Sequence, residues 1–508
     1  MSMSHVEVPR YRFPPRSPMG FSLLFATPCA IALIIGGCTV GPDYRTPATT
    51  MPDAWGELGE SGAATGPATR PISASPVVQW WKTFEDPELN TLVERAVAAN
   101  RDLRRARARV REARAQRDVV RADLFPKANV DASYSNSRFS NGNTGSATSG
   151  NFGGLGDQNL YQAGFDASWE IDVFGGVRRS VEAANYDLAA AIEDQRDIVI
   201  SLLAEVARNY VDLRGFQRQL TIAQENLQAQ QQTLELTQNR LKAGVATDLD
   251  LARAQAQVST TASQIPTLEA SARQSIHRLG TLLGSDPMSL SKDLSPTKPI
   301  PRPPPALPVG VPSELLRRRP DIRRAERQLA ATNARIGVAT ADLFPKFSLT
   351  GSLGLQSSKI SNLLEYSSRF YSIGPSISWP IFDAGRIRAN IRVQNAREEQ
   401  AVATYEQAVL TALQEVEDAL VNYTREEARR RTLADAAEAN RRAVQLANQL
   451  YAAGRTDFLS VLQAQRDLFA SQDALVQSNR TVSTNLVTLY KALGGGWEGD
   501  VAATQPSK

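Results

Sequence analysis

The sequence predicts a mainly α-helical protein with a few long β-strands, built as two copies of one unit. Three observations predict it. The 508-residue chain contains itself twice: ADLFPK at 122–127 returns at 341–346, Trp169 is answered by Trp379, Ala243-Gly244 by Ala453-Gly454, and Leu283-Gly284 by Leu493-Gly494. Each copy holds a long proline-poor stretch with apolar residues every seven positions, the mark of packed helices. Ahead of each stretch the period drops to two, the mark of strands.

The last three landmarks recur at an offset of 210 residues and ADLFPK at 219, so the copies differ by nine residues between Pro126 and Trp169. There the first copy carries SNSRFSNGNTGSATSGNFGGLGD, a composition that belongs in a solvent-exposed loop. A repeat of about 200 residues is too long for a solenoid unit, which leaves two homologous halves of one architecture. At about 150 residues per domain the length would suggest three domains, and the duplication overrides that count.

Residues 1–37 read as a targeting segment. Arg10, Arg12 and Arg16 precede an apolar run from Phe21 to Ile35 that is shorter than a comfortable membrane-spanning helix. The run ends in Ile35-Gly36-Gly37-Cys38, which resembles a bacterial lipobox, where the cysteine receives lipid and becomes the new N-terminus; an uncleaved anchor helix is the other reading. Removing this segment takes three of the 57 basic residues and one of the 53 acidic ones, leaving 54 and 52, so nothing asks for nucleic acid. Cys29 lies in the segment and Cys38 would carry lipid, so the mature chain has no pair for a disulfide.

From Gly176 to Gly244 there is no proline, and Ile192, Val199, Val206, Leu213, Leu220, Leu227, Leu234 and Leu241 repeat at seven-residue steps. A helix of about 65 residues at ~1.5 Å each spans on the order of 100 Å, wider than one globular domain. Gly244 stops this helix and Asp248 is placed to cap the next, which runs through Leu251, Val258 and Ile265 toward Leu283, giving a long antiparallel hairpin. Gly454 and Asp457 take the same parts in the second copy, where Val402, Val409, Val416 and Tyr423 lead to a charged interruption at Arg430.

Strand patterns precede the hairpins. Tyr161, Ala163, Phe165, Ala167, Trp169 and Ile171 alternate with polar residues, and Tyr371 to Ile381 do the same. Each pairs with a run after ADLFPK, Val130 to Tyr134 in one half and Phe347 to Leu355 in the other, which makes four strands. Ten-residue strands with one apolar face and aromatic ends suit a membrane β-barrel, and the same alternation also fits a half-buried soluble sheet. Four strands cannot close a barrel and a bilayer tolerates no open edge, so strands that span a membrane require oligomerisation.

Shorter helical patterns at Leu89–Asp123 and Ser313–Asp342 lead into the strands, with Pro126 and Pro345 marking the change. Eight prolines between 296 and 312 form a stiff connector. The organisation is therefore a signal segment (1–37), an N-terminal segment (38–87), a first repeat (88–287), the connector (288–312), a second repeat (313–497) and a polar tail (498–508).

These elements, with CTVGPDYRTP, WWKTFEDPELNTLVERAVAANRDL, LPVGVPSELLRRRPDIRRAERQLAATNARIG, WEIDVFGGVRR, WPIFDAGRIRA and LYKALGGGW, resemble the TolC-like outer membrane factors, in particular the lipoprotein branch serving resistance-nodulation-division efflux pumps. The resemblance covers essentially the whole mature chain. It implies a homotrimer whose strands complete a twelve-stranded barrel in the outer membrane, above a helical tunnel that crosses the periplasm to a periplasmic adaptor and an inner-membrane pump. It implies a lipid on Cys38 and outer-membrane delivery, because Thr39 follows the cysteine where an Asp would retain it at the inner membrane. The hairpin tips at Gly244, Asp248, Gly454 and Asp457 would meet the adaptor. The gate would lie at Leu459, Ser460 and Gln463, with Leu459 as an apolar plug; the family commonly has an acid where this chain has Gln463, so an acidic selecting ring is not carried over. A coiled-coil seam with a solvated face would give the same pattern at these positions.

No enzyme or cofactor is expected. His5 falls in the signal segment and His277 has no partner ligand, and there is no GxxxxGK[ST], HExxH or GxSxG element. Glu170 with Asp172, and Asp248 with Asp250, fit polar strand faces and helix caps better than acid–base chemistry. Two rivals remain: a periplasmic adaptor, disfavoured by the duplicated hairpin and strand pair, and the exit duct of a type I secretion machine, disfavoured by the lipobox and GPDY opening.

Overall fold

The structure, a computed structural model, describes residues 38–56, 78–138, 157–304 and 312–497. The signal segment, the polar tail, most of the Ser/Gly/Asn-rich insertion and the end of the connector lie outside the described residues. In chain order the elements are α1 (Pro87–Ala99), α2 (Arg101–Ala122), β1 (Lys127–Ser137), β2 (Gln158–Ile171), α3 (Gly176–Lys242), α4 (Asp248–Leu282), α5 (Ser291–Leu294), α6 (Leu315–Arg318), α7 (Pro320–Ala341), β3 (Lys346–Ser357), β4 (Arg369–Ser378), α8 (Arg386–Ala452) and α9 (Phe458–Ala492).

The duplication is visible in the lengths. Helices α3 and α8 each have 67 residues, and α4 and α9 each have 35. At 1.5 Å per residue each long helix spans about 100 Å. The predicted helix from Leu89 to Asp123 is in fact two, broken at Asn100, whose side chain caps α2 by accepting from the Leu103 amide at 2.9 Å. Its counterpart breaks likewise between Arg318 and Pro320, since the residue before a proline is pushed out of the helical region. Pro266 sits inside α4, which nonetheless runs unbroken from Asp248 to Leu282, as the sequence pattern indicated.

The four strands form one antiparallel sheet in the order β1-β2-β3-β4. Its register puts Val130, Phe165, Leu353 and Tyr371 in one row, and Asn129, Asp166, Ser352 and Ser372 in the next, so one face is mostly apolar and the other mostly polar. Strand β4 ends at Ser378, short of the predicted Ile381, because Pro380 has no amide to continue the ladder.

The helices pack in two tiers below the sheet. Near the strands the order across the chain is α2-α3-α7-α8; farther away it is α4-α3-α9-α8, with α3 and α8 running through both. The main core lies between the tiers, where Trp80 stacks on Tyr490 with ring centroids 5.2 Å apart and Leu203, Val206, Leu213 and Leu486 are fully buried. The connector is pinned there by its carbonyls: Gln217 Nε2 donates to Leu294 at 2.8 Å, Arg214 Nη1 to Pro296 at 2.8 Å and Ser483 Oγ to Pro301 at 2.8 Å. Arg214 is wholly buried and also pairs with Glu88, which supplies the charge that burial demands.

Residues 38–56 form a strap down the outside of the bundle. The Val40 amide donates to the Phe174 carbonyl at 3.1 Å, Arg179 pairs with Asp43 at 2.6 Å, and the Gly56 amide donates to Glu417 at 2.8 Å. Gly41 has φ +93° and a Cβ there would come within 2.5 Å of Gly337 Cα, so the strap needs glycine at this crossing.

Candidate functional site

The two hairpin tips are built alike from local backbone chemistry. Gly244 (φ +73°) and Gly454 (φ +69°) adopt the left-handed conformation that ends α3 and α8. The Gly244 amide donates to Leu241 and the Val245 amide to Arg240, both at 2.9 Å; the Gly454 amide donates to Tyr451 at 3.0 Å and the Arg455 amide to Leu450 at 2.8 Å. The cap of α4 differs from expectation. It is Thr247, in a capping box with Asp250, while Asp248 occupies the exposed first turn, where its charge suits the helix N-terminus. Asp457 caps α9 as expected, accepting from the Ser460 amide at 3.0 Å, and the Ser460 hydroxyl and amide hold its carboxyl below the usual range.

Helix α9 has two faces at this end. Phe458, Val461, Leu462 and Gln465 are buried, the first three in a small cluster with Tyr451 and with Ala254 of the other hairpin. Leu459, Ser460 and Gln463 are all exposed, Leu459 by 49%. The structure therefore places the three predicted gate residues together on the side of α9 turned away from its own packing. Asp467 belongs with them: it accepts from Gln463 Nε2 at 2.9 Å and lies one turn farther along the same face. The i, i+4 spacing from Gln463 is the signal that could have found it.

The seam between the hairpins was not foreseen. Gln219 donates to Asp473 at 2.6 Å, Asn226 to Gln472 at 3.0 Å, Gln465 to Thr233 at 2.8 Å and Arg240 to the Tyr451 carbonyl at 2.8 Å. Positions 219, 226, 233 and 240 are a heptad of their own, one residue before the leucine stripe. Within that stripe Val199, Val206 and Leu213 are buried, whereas Leu220, Leu227, Leu234 and Leu241 are only half-buried. Where α8 carries Arg430, the guanidinium is bound to Glu427 at 2.7 and 2.8 Å beside an open cleft of about 680 Å³ under the connector, so the charged interruption does mark a looser section.

The sheet and both helical tiers end on the same pair of borders. One side shows β1, α2 and α4; the other shows β4 and α8. A border of unpaired strand next to a border of unpaired helix is what a chain presents when it forms a ring with copies of itself. The apolar sheet face has Tyr134 and Tyr161 at the end away from the helices, with ring centroids 4.7 Å apart, and Trp169 and Phe347 at the other, the spacing of two aromatic girdles. No helix among the described residues is long and apolar enough to cross a membrane. Among the same residues no group of three or more His, Cys, Asp or Glu could hold a metal ion. Cys38 is exposed, next to Thr39, which lies against Gly175 at the turn from β2 to α3.

Comparison with known proteins agrees with this geometry. The family model described as outer membrane efflux protein matches residues 92–285 and 311–495, one stretch per repeat. The chain is 35% identical to the cation efflux system protein CusC of Escherichia coli O6:H1, over 93% of this chain and 98% of that one. It is also 35% identical to the pyoverdine export outer membrane protein OpmQ of Pseudomonas aeruginosa, over 92% of this chain and 96% of that one. Its fold superposes on the outer-membrane channel OprN with a TM-score of 0.83 and 41% identity, covering 91% of this chain and all of that one. With a helical barrel and membrane strands in one duplicated chain, this protein belongs to the outer membrane efflux protein family.

Proposed function

We propose that the protein is the outer-membrane exit duct of a tripartite efflux system, a homotrimeric passive conduit fed by a periplasmic adaptor and an inner-membrane resistance-nodulation-division pump. The observation that carries this is the common pair of borders running through sheet and helices. Copies joined border to border close the sheet into a barrel and the hairpins into a tube about 100 Å long, as a conduit across the periplasm requires. In this reading the transport force belongs to the pump.

Cys38 is the proposed site of lipid attachment. Its place beside the sheet-to-helix turn, at the level of Phe174 and Phe344, suits acyl chains entering the inner leaflet. The tips at Gly244, Asp248, Gly454 and Asp457 are the proposed adaptor contacts, and Leu459, Ser460 and Gln463 the proposed gate. The relatives' cargoes, a cation and pyoverdine by their names, differ widely, which supports a duct that leaves substrate choice to its partners.

The test is reconstitution. Purified protein in planar bilayers should give discrete ion-conducting pores and run as a trimer in detergent; a monomer without conductance refutes the reading.

A further inference from the structure

The apolar face of the sheet is not uniform. Between the row of Val130, Phe165 and Leu353 and the row of Ala163 and Leu355 lies a groove of about 500 Å³. Its floor is shallow because Ala163 contributes only a methyl group, while the intervening Gly164 and Gly354 present only backbone there, their side-chain positions turned to the other face. Its walls are Phe165 and Leu353, each 61% exposed, and Val130 at 71%. Its outer end is closed by Arg369, which pairs with Leu355 at the start of β4.

A charge in that position calls for a reason. Arg369 points from the apolar face, one row inside the Tyr134–Tyr161 pair, about 7 Å along the strand at ~3.3 Å per residue. A lipid-facing arginine costs about 2–4 kcal/mol at the bilayer midplane and close to nothing near the interface, where this one sits. It is held over the Tyr366 ring at 4.6 Å, in a turn tied down by Ser368 Oγ donating to the Asn362 carbonyl at 2.7 Å. Among the described residues no carboxylate pairs with it, nor with Lys359 at the same end of the sheet.

We propose that this groove and Arg369 form a binding site for a phosphate-bearing anionic lipid of the outer leaflet. The acyl chain lies along the groove between the Phe165–Leu353 row and the small Ala163, and the guanidinium meets the headgroup phosphate. Arginine suits phosphate because its planar fork offers two parallel donors. The proposal rests on the membrane-spanning reading above and adds to it a fixed lipid partner at a stated place. The competing account is that Arg369 merely extends its head to water past the girdle.

The two accounts separate in a lipid-retention experiment. The trimer is placed in nanodiscs of phosphatidylcholine and phosphatidylglycerol, re-extracted, and its retained lipids are counted by native mass spectrometry. Wild type should retain phosphatidylglycerol about fivefold over its share, the effect of one arginine at an anionic surface, and R369Q should fall to parity. A163L, which fills the floor, should retain less of both lipids. Equal retention of the two lipids by wild type, or enrichment unchanged in R369Q, overturns the proposal. Each protein is also tested for pores: pores without lipid preference refute this site alone, and the absence of pores in wild type refutes the duct reading instead.

Discussion

The indole of Trp169 donates to the Leu124 carbonyl at 3.0 Å, and the indole of Trp379 donates to the Leu343 carbonyl at 3.0 Å. Each bond ties the end of one strand to the turn that starts its partner, so both sheet corners are closed by the same device. Replacing either Trp by Phe keeps the ring and removes the donor, at a cost of about 1 kcal/mol each. The corners share no partner, so the double variant should lose the sum. Thermal dissociation of the trimer, followed by gel mobility, would show it; a double variant no weaker than either single one contradicts independent corners.

Leu459 is the exposed apolar residue on the free face of α9. Leu459→Ser should raise the conductance of the resting channel in planar bilayers by several-fold while leaving the trimer intact. An unchanged resting conductance removes Leu459 from the gate.

Arg240 anchors the first hairpin to the second through the Tyr451 carbonyl and through its guanidinium 4.5 Å from the Tyr451 ring centre. Arg240→Ala should loosen the tips by about 1–2 kcal/mol, since a charged hydrogen bond and a cation–π contact are lost together. Resting conductance is the readout, and Arg240→Lys should restore part of the closure.

Cys38→Ser should abolish lipid attachment. Mass spectrometry of the wild-type N-terminal peptide should find acylated Cys38, and the variant should carry an unmodified serine; an unacylated wild-type peptide rejects the assignment.

Acid should weaken the main core between the tiers. Burial raises the Asp321 carboxyl, but the Arg319 guanidinium, at 2.6 and 3.0 Å, outweighs it and leaves the value below normal. A carboxyl depressed by folding stabilises above its unfolded value of about pH 4, and that contribution is lost as pH falls through the folded value. Asp321→Asn should cost about 2 kcal/mol at neutral pH and flatten the acid limb of the stability curve. An acid limb identical to wild type would assign that sensitivity to other groups.

Much of this architecture was legible before any coordinates. The strands could be read because Tyr161 to Ile171 alternate strictly, and the tips because glycine tolerates the left-handed turn that Gly244 and Gly454 adopt. Strand β4 was overrun because alternation continues through Trp379 while the ladder depends on amides that Pro380 lacks. The polar seam was hidden for a deeper reason. A leucine every seventh residue reports a preference for burial without saying which neighbour provides it, and the heptad of Gln219, Asn226, Thr233 and Arg240 is polar, so no apolar signal marks it as a seam. Thr247 was passed over for Asp248 because either can cap, and only the backbone distinguishes them.

Both long helices carry 67 residues from the sheet to the turn, so Gly244 and Gly454 stand at equal depth. A ring of these chains consequently ends in a level rim, with twice as many blunt feet as subunits. A docking protein with a single grip for either foot would assemble in double stoichiometry around it, whereas one that senses the threonine of one cap against the aspartate of the other would seat on alternate feet only.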